Sequence, residues 1–190
     1  MPEPEPDSMD TDHDLTTTLI AKATQGDRAA LAAIYDAYAR RIYRYLYSRV
    51  GNAADAEDLC AQTFLGVLEA LPRYRHRGQF TAWIFQIARF KAMDHFRRRR
   101  DVSGVDETLV DPHMGPLLEG VIRDETVGRL TELFHSQLDE DERELLRLRF
   151  VVELSFVEIG ALLGRKEDAV RKSIQRILAR LYAQMEVQNG

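Results

Sequence analysis

The chain has 190 residues, 45% of them hydrophobic and 30% charged, with a formal net charge of −5. That balance fits a soluble globular protein of one large or two small folding units, and no apolar run approaches the roughly 18 residues of a membrane span. Cys60, the single cysteine, excludes an internal disulfide and a multi-cysteine metal site, and reads as a buried small hydrophobe in a cytoplasmic protein.

Residues 1–14 alternate proline with six acids and carry no Lys or Arg, too little apolar surface to repay ordering, so they are expected to be a disordered acidic tail. Helical spacing starts at Leu15 with Leu19, Ile20 and Ala23. Gly26 and Asp27 punctuate it, and a second run follows through Leu31, Ile34, Tyr35, Tyr38, Ile42, Tyr45 and Leu46 to Gly51 and Asn52. A third helix begins near Ala53 and is expected to turn Ala56, Leu59, Cys60, Thr63, Phe64, Val67, Leu68 and Leu71 inward before Pro72 stops it.

Between residues 71 and 100 the composition changes. Nine cations (Arg73, Arg75, Arg77, Arg89, Lys91, Arg97, Arg98, Arg99 and Arg100) stand against one acid, Asp94, interleaved with Tyr74, Phe80, Trp83, Phe85, Phe90 and Phe96. Cations neutralise phosphates, and aromatic faces stack on bases that have left the duplex, so the cluster points to opened nucleic acid. For any single aromatic, packing in the core is the simpler account. The fourth helix, about Phe80 to Arg100, is expected to bury Phe80, Trp83, Ile84, Ile87 and Ala88.

Glycines, prolines and six acids make residues 101–124 an acidic linker. Beyond it, Val127, Leu130, Leu133, Phe134 and Leu138 predict a helix. The acids from Asp139 to Glu144 then give a solvated start to another over Arg143–Val152. Acids at a helix N-terminus are favoured by the helix dipole, which explains them without a metal.

From Ser155 the chain reads SFVEIGALLG, RKE, DAVRKSIQRILARL. Ser155 and Glu158 form a capping box, and Gly164 is placed to end a short helix in the left-handed conformation. The following helix turns Val170, Ile174, Ile177, Leu178 and Leu181 inward and leaves Glu167, Asp168, Arg171, Lys172, Gln175 and Arg176 outward. Short helix, glycine turn and polar-faced helix form the helix-turn-helix pattern, whose second helix enters the major groove. Arg171 and Gln175 suit bidentate reading of guanine and adenine, with Lys172 and Arg176 on phosphates.

DAEDLCAQTF (Asp55–Phe64), FTAWIFQIARFKAMDHFRRRR (Phe80–Arg100) and LDEDERELLRLRFVVELSFVEIGALLG (Leu138–Gly164) resemble, in that order, the extracytoplasmic-function (ECF) sigma factors of the sigma-70 family. The resemblance implies an all-α protein of two small domains joined by a flexible linker: a region 2-like helical bundle over residues 15–100 and a region 4-like helix-turn-helix over 125–187. It implies that Asp55, Glu57, Asp58, Leu59, Gln62 and Phe64 dock on the RNA polymerase core. Residues 73–79 and the helix after them, with Arg73, Tyr74, Arg75, Arg77, Phe80, Trp83, Arg89, Lys91 and Arg97 to Arg100, would hold the opened minus-ten element. Lys166, Glu167, Arg171, Lys172, Gln175 and Arg176 would meet the minus-thirty-five element. An anti-sigma factor is an implied partner, alongside core polymerase and promoter DNA.

Phe90 stands where the family often has asparagine, and Lys166 and Ala169 where it has serine and threonine, so promoter sequence does not transfer. Two rival readings remain at this level: a helix-turn-helix regulator acting alone, and a sigma mimic that binds an anti-sigma factor without DNA. An enzyme is disfavoured. There is no phosphate-binding glycine loop and no HExxH, the histidines are scattered singly, and no cofactor or metal is expected. The linker acids, Asp106, Glu107 and Asp111 among them, and the tail are expected to lie near the basic surface or mimic RNA.

Overall fold

The computed structural model describes residues 17–75, 78–103 and 136–188, which contain helices, turns and connections and no strand. Residues 17–24 form α1. Gly26 turns the chain at φ 85°, and the Asp27 carboxylate accepts from the Ala30 amide at 3.0 Å to start α2, Arg28–Val50. Gly51, left-handed at φ 65°, closes α2; Asn52 next caps α3, Ala53–Ala70, through the Asp55 amide at 3.0 Å. Pro72 falls in a 3-10 turn, Leu71–Arg73, and α4 runs Phe80–Ser103, three residues beyond its expected end.

α3 packs on α2 and α4, and the shared core holds Ile34, Ile42, Leu46, Leu59, Val67, Ile84 and Ala88. Each of the larger of these side chains, Ala88 apart, contributes roughly 1.5–3 kcal/mol by leaving water. Cys60 is buried as expected, and burial pushes its thiol pKa up. Several expectations fail in detail. Phe85 is fully buried although it lies off the predicted stripe, while Trp83 and Ile87 are only half-buried. Leu68, expected inward, is exposed. α4 touches α2, α3 and a helix of the C-terminal unit, so more than one of its stripes is covered.

In the C-terminal unit, Asp139 and Glu142 form a capping box at the start of α5, Glu140–Leu146. The single helix expected over Arg143–Val152 is divided: α5 begins earlier, and Arg147–Val151 widen into a π-turn. Glu153, left-handed at φ 59°, turns the chain toward α6, Phe156–Leu163. Ser155 and Glu158 make the expected capping box, Gly164 ends α6 at φ 65°, and α7 spans Glu167–Gln188 around buried Val170, Ile174 and Ile177. Leu178 and Leu181 are half-buried. Of the helix expected over 127–138 only residues 136–138 are described, with 136 and 137 helical and Leu138 buried; the tail and nearly all of the linker lie outside the described residues.

The two units meet. α4 packs on α6, and α2 packs on the π-turn. Glu144, expected at a solvated helix start, is 3% exposed at this junction, and Arg147 is 2% exposed.

Candidate nucleic-acid interface

Three rings anchor the connection between α3 and α4. Tyr74 and Trp83 have centroids 4.6 Å apart, and Phe80 lies 5.3 Å from each. The Tyr38 ring packs on Phe80 at 5.6 Å, while its hydroxyl shares a 3.0 Å hydrogen bond with Thr81. Phe80 is buried and holds this cluster from below; Tyr74 and Trp83 are half-buried and reach the surface. They line a recess with Arg73, Arg75, Gln79, Ala82, Gln86 and, from α6, Ala161. Aromatic faces between exposed guanidinium groups suit an unstacked base and its phosphates. Arg77 lies outside the described residues.

One turn beyond Gln86, Phe90 is 57% exposed. Among the described aromatics of this segment, Phe80 and Phe85 serve the core and Phe96 is half-buried, so Phe90 is the ring left facing solvent. Arg97 to Arg100, in the last turns of α4, are all exposed. Arg97 and Arg98 both pair with Asp94, the latter at 2.7 Å, and Arg99 lies 3.8 Å from Asp55. His95 is 3.9 Å from the same Asp55 oxygen.

The residues assigned by resemblance to polymerase docking therefore adjoin the basic helix α4. Asp58, Leu59 and Gln62 of α3 line a second recess with Lys91, Asp94, His95, Arg98 and Arg99 of α4. Gln62 donates to Asp58 at 2.6 Å. Glu57 and Asp58 are exposed, Asp55, Gln62 and Phe64 are partly so, and Leu59 is 2% exposed, which leaves it a scaffold residue in this conformation. The Phe64 ring packs on Tyr35 at 4.7 Å, and the nearby Leu65 and Leu68 are exposed.

In the helix-turn-helix, Gly160 has a part that spacing alone did not reveal. A Cβ there would stand 2.6 Å from the Arg165 carbonyl oxygen, so the turn closes directly over α6. The Arg165 amide donates to the Gly160 carbonyl at 2.8 Å, and its guanidinium reaches the Ser173 hydroxyl at 2.7 Å. Arg171, Lys172, Gln175 and Arg176 all face solvent, with Lys166 exposed in the turn. Arg171 pairs with Glu167 and lies 4.8 Å above the Phe156 ring, which holds its guanidinium at the leading end of α7.

Residues that the sequence reading passed over occupy the junction. Tyr45 donates to Glu144 at 2.7 Å, and Arg49 donates to its other oxygen at 2.8 Å and lies 3.2 Å from Glu140. Arg89, assigned to DNA by resemblance, is 3.4 Å from Glu144. Burial and then the Glu144 charge push the Tyr45 phenol up, so it stays a protonated donor. Burial opposes the Arg49 charge, but Tyr45, Glu144 and Glu140 more than offset it and raise its pKa. Arg41, Tyr45 and Arg49 recur every fourth residue on α2, and Glu140, Glu144 and Arg147 recur at four and three. Those stripes were the available signal.

No group of three His, Cys, Asp or Glu residues able to hold a metal occurs among the described residues. No described helix is long and apolar enough to cross a membrane.

A helical unit with an aromatic and basic recess, followed by a helix-turn-helix, defines a DNA-binding protein of transcription. The family models for Sigma-70 region 2 and Sigma-70 region 4 match residues 34–102 and 130–181. The chain is 31% identical over 188 residues to the ECF RNA polymerase sigma factor BldN of Streptomyces coelicolor, covering 90% of this chain and 67% of that protein. It is 36% identical over 172 residues to the ECF RNA polymerase sigma factor SigD of Mycobacterium tuberculosis H37Rv, covering 86% and 80%. Its fold is similar to that of CnrH, solved in complex with the cytosolic domain of CnrY, with a TM-score of 0.63, 25% identity and coverage of 90% and 96%. The chain belongs to the ECF sigma factors of the sigma-70 family and is an RNA polymerase sigma factor.

Proposed function

We propose that the α2–α4 unit docks on core polymerase through Asp55, Glu57, Asp58, Gln62 and Phe64 and holds the opened minus-ten strand on its aromatic recess and basic helix end. The α6–α7 pair reads the minus-thirty-five element through Arg171 and Gln175, with Lys166, Lys172 and Arg176 on phosphates. These two parts form domains over about residues 15–100 and 125–187. The recess carries the reading: Tyr74 and Trp83 present ring faces 4.6 Å apart beside exposed Arg73 and Arg75, a surface of no use to a regulator that binds only closed duplex. Catalysis belongs to the polymerase, and the protein works in the cytoplasm. An anti-sigma factor completes the set of partners, supported by CnrH having been solved in complex with the cytosolic domain of CnrY.

Binding to a duplex with a short melted bubble, measured for wild type, Trp83→Ala and Arg171→Ala in the presence of core polymerase, tests the division. Trp83→Ala is expected to weaken bubble binding selectively, and Arg171→Ala to weaken discrimination in the upstream duplex. Equal losses on bubble and closed duplex for both variants would contradict it.

A further inference from the structure

One ring meets two cations at the start of the helix-turn-helix. Phe156 is the first residue of α6 and lies half-buried against the core of the C-terminal unit. The guanidinium carbons of Arg149, from the π-turn, and of Arg171, early in α7, each stand 4.8 Å from its ring centroid. The two cations are held differently. Arg149 also donates to the Leu154 carbonyl at 2.9 Å, which ties it to the scaffold. The Arg171 side chain is 46% exposed, and its second partner is the Glu167 carboxylate one turn earlier, on a side chain itself 42% exposed.

We propose that Phe156, which lies outside α7, is a positioning residue that sets how well Arg171 discriminates between bases. The two partners of the Arg171 guanidinium have opposite consequences for reading. Glu167 accepts from its N–H groups, so the pair must part or share donors before the fork can meet the two acceptors on a guanine edge. The Phe156 ring attracts the cation through its π-face and consumes no in-plane N–H, so this contact persists with and without DNA. A long side chain on a helix surface loses rotamer freedom when it docks on a base. A ring that already holds the guanidinium lowers that cost, and it does so only at the base pair that Arg171 reads. Specificity at that position then depends on a side chain of the preceding helix.

The inference rests on the assignment of Arg171 as a base reader, and the test keeps the two apart. Holoenzyme formed with core polymerase is titrated against promoter fragments altered singly along the upstream element, for wild type, Arg171→Ala, Phe156→Leu and Phe156→Tyr. Phe156→Leu keeps an apolar body against the core and lacks the π-face. Phe156→Met, which also fills the space without a ring, decides the matter if Phe156→Leu fails to fold. The expected result is an about two- to fivefold loss of preference at the base pair where Arg171→Ala loses preference, little change at the others, and recovery with Phe156→Tyr. If Arg171→Ala shifts one base pair while the ringless variants leave it intact, the positioning role alone is overturned. A loss spread evenly over all fragments, or one that Phe156→Tyr does not recover, overturns it too. If Arg171→Ala shifts no base pair, the reader assignment fails and the positioning role falls with it.

Discussion

The two surfaces proposed to face DNA are built on opposite plans. In the α2–α4 unit the same rings serve scaffold and surface: Tyr74 and Trp83 pack on buried Phe80 and also line the recess. In the helix-turn-helix the tasks are divided by helical face, with Val170, Ile174 and Ile177 inside and Arg171, Lys172, Gln175 and Arg176 outside. Substitutions in the first surface should therefore disturb folding and binding together, whereas those on α7 should change binding alone.

The largest effect is expected for Trp83→Ala. Stacking on a base is worth about 1–3 kcal/mol, and loss of each neighbouring ring contact adds roughly 0.5–1.5 kcal/mol to the destabilisation. Thermal melts and bubble-DNA titrations should both shift, and Trp83→Phe should recover much of each. Gly160→Val comes next: its side chain enters the space of the Arg165 carbonyl, so overpacking should destabilise the turn by about 1–3 kcal/mol and weaken binding to the upstream element. A melt like wild type with full upstream binding would show that the turn yields freely.

Arg171→Ala should leave the melt in place and relax preference at one base pair by about 1–3 kcal/mol, read from a panel of singly altered duplexes. The smallest effect belongs to Lys172→Ala, a near-uniform loss across sequences with the salt slope of binding reduced by about one. If Lys172→Ala changes base preference instead, the assignment of reader and phosphate contact on α7 must be exchanged.

Local chemistry was the most legible part of the sequence. The Ser155–Glu158 box, the left-handed Gly164 and the end of α2 at Gly51 depend on neighbours within a few residues, and the structure has them as expected. Packing partners were less legible. Phe85 lies off the predicted stripe, yet α4 is covered by three helices, and the Phe85 ring meets Tyr45 edge-on at 5.8 Å. Phe90 could not be separated from the core aromatics by type, because a ring on a helix looks alike inward and outward until the neighbours are known. Glu144 was hidden by the rule that acids at a helix start are solvated; a partner stripe more than 90 residues away reverses it. Arg77, the acidic tail and the linker acids lie outside the described residues, so their assigned roles remain proposals.

The most direct test of the central claim is run-off transcription by purified bacterial core polymerase on a pool of promoter fragments, with wild-type protein and with Trp83→Ala, in parallel with DNA binding by the protein alone. The account predicts transcripts from a defined subset of promoters only when the wild-type chain is added, with a marked loss for Trp83→Ala at the opening step. Tight binding to closed duplex without any core-dependent transcript would contradict it.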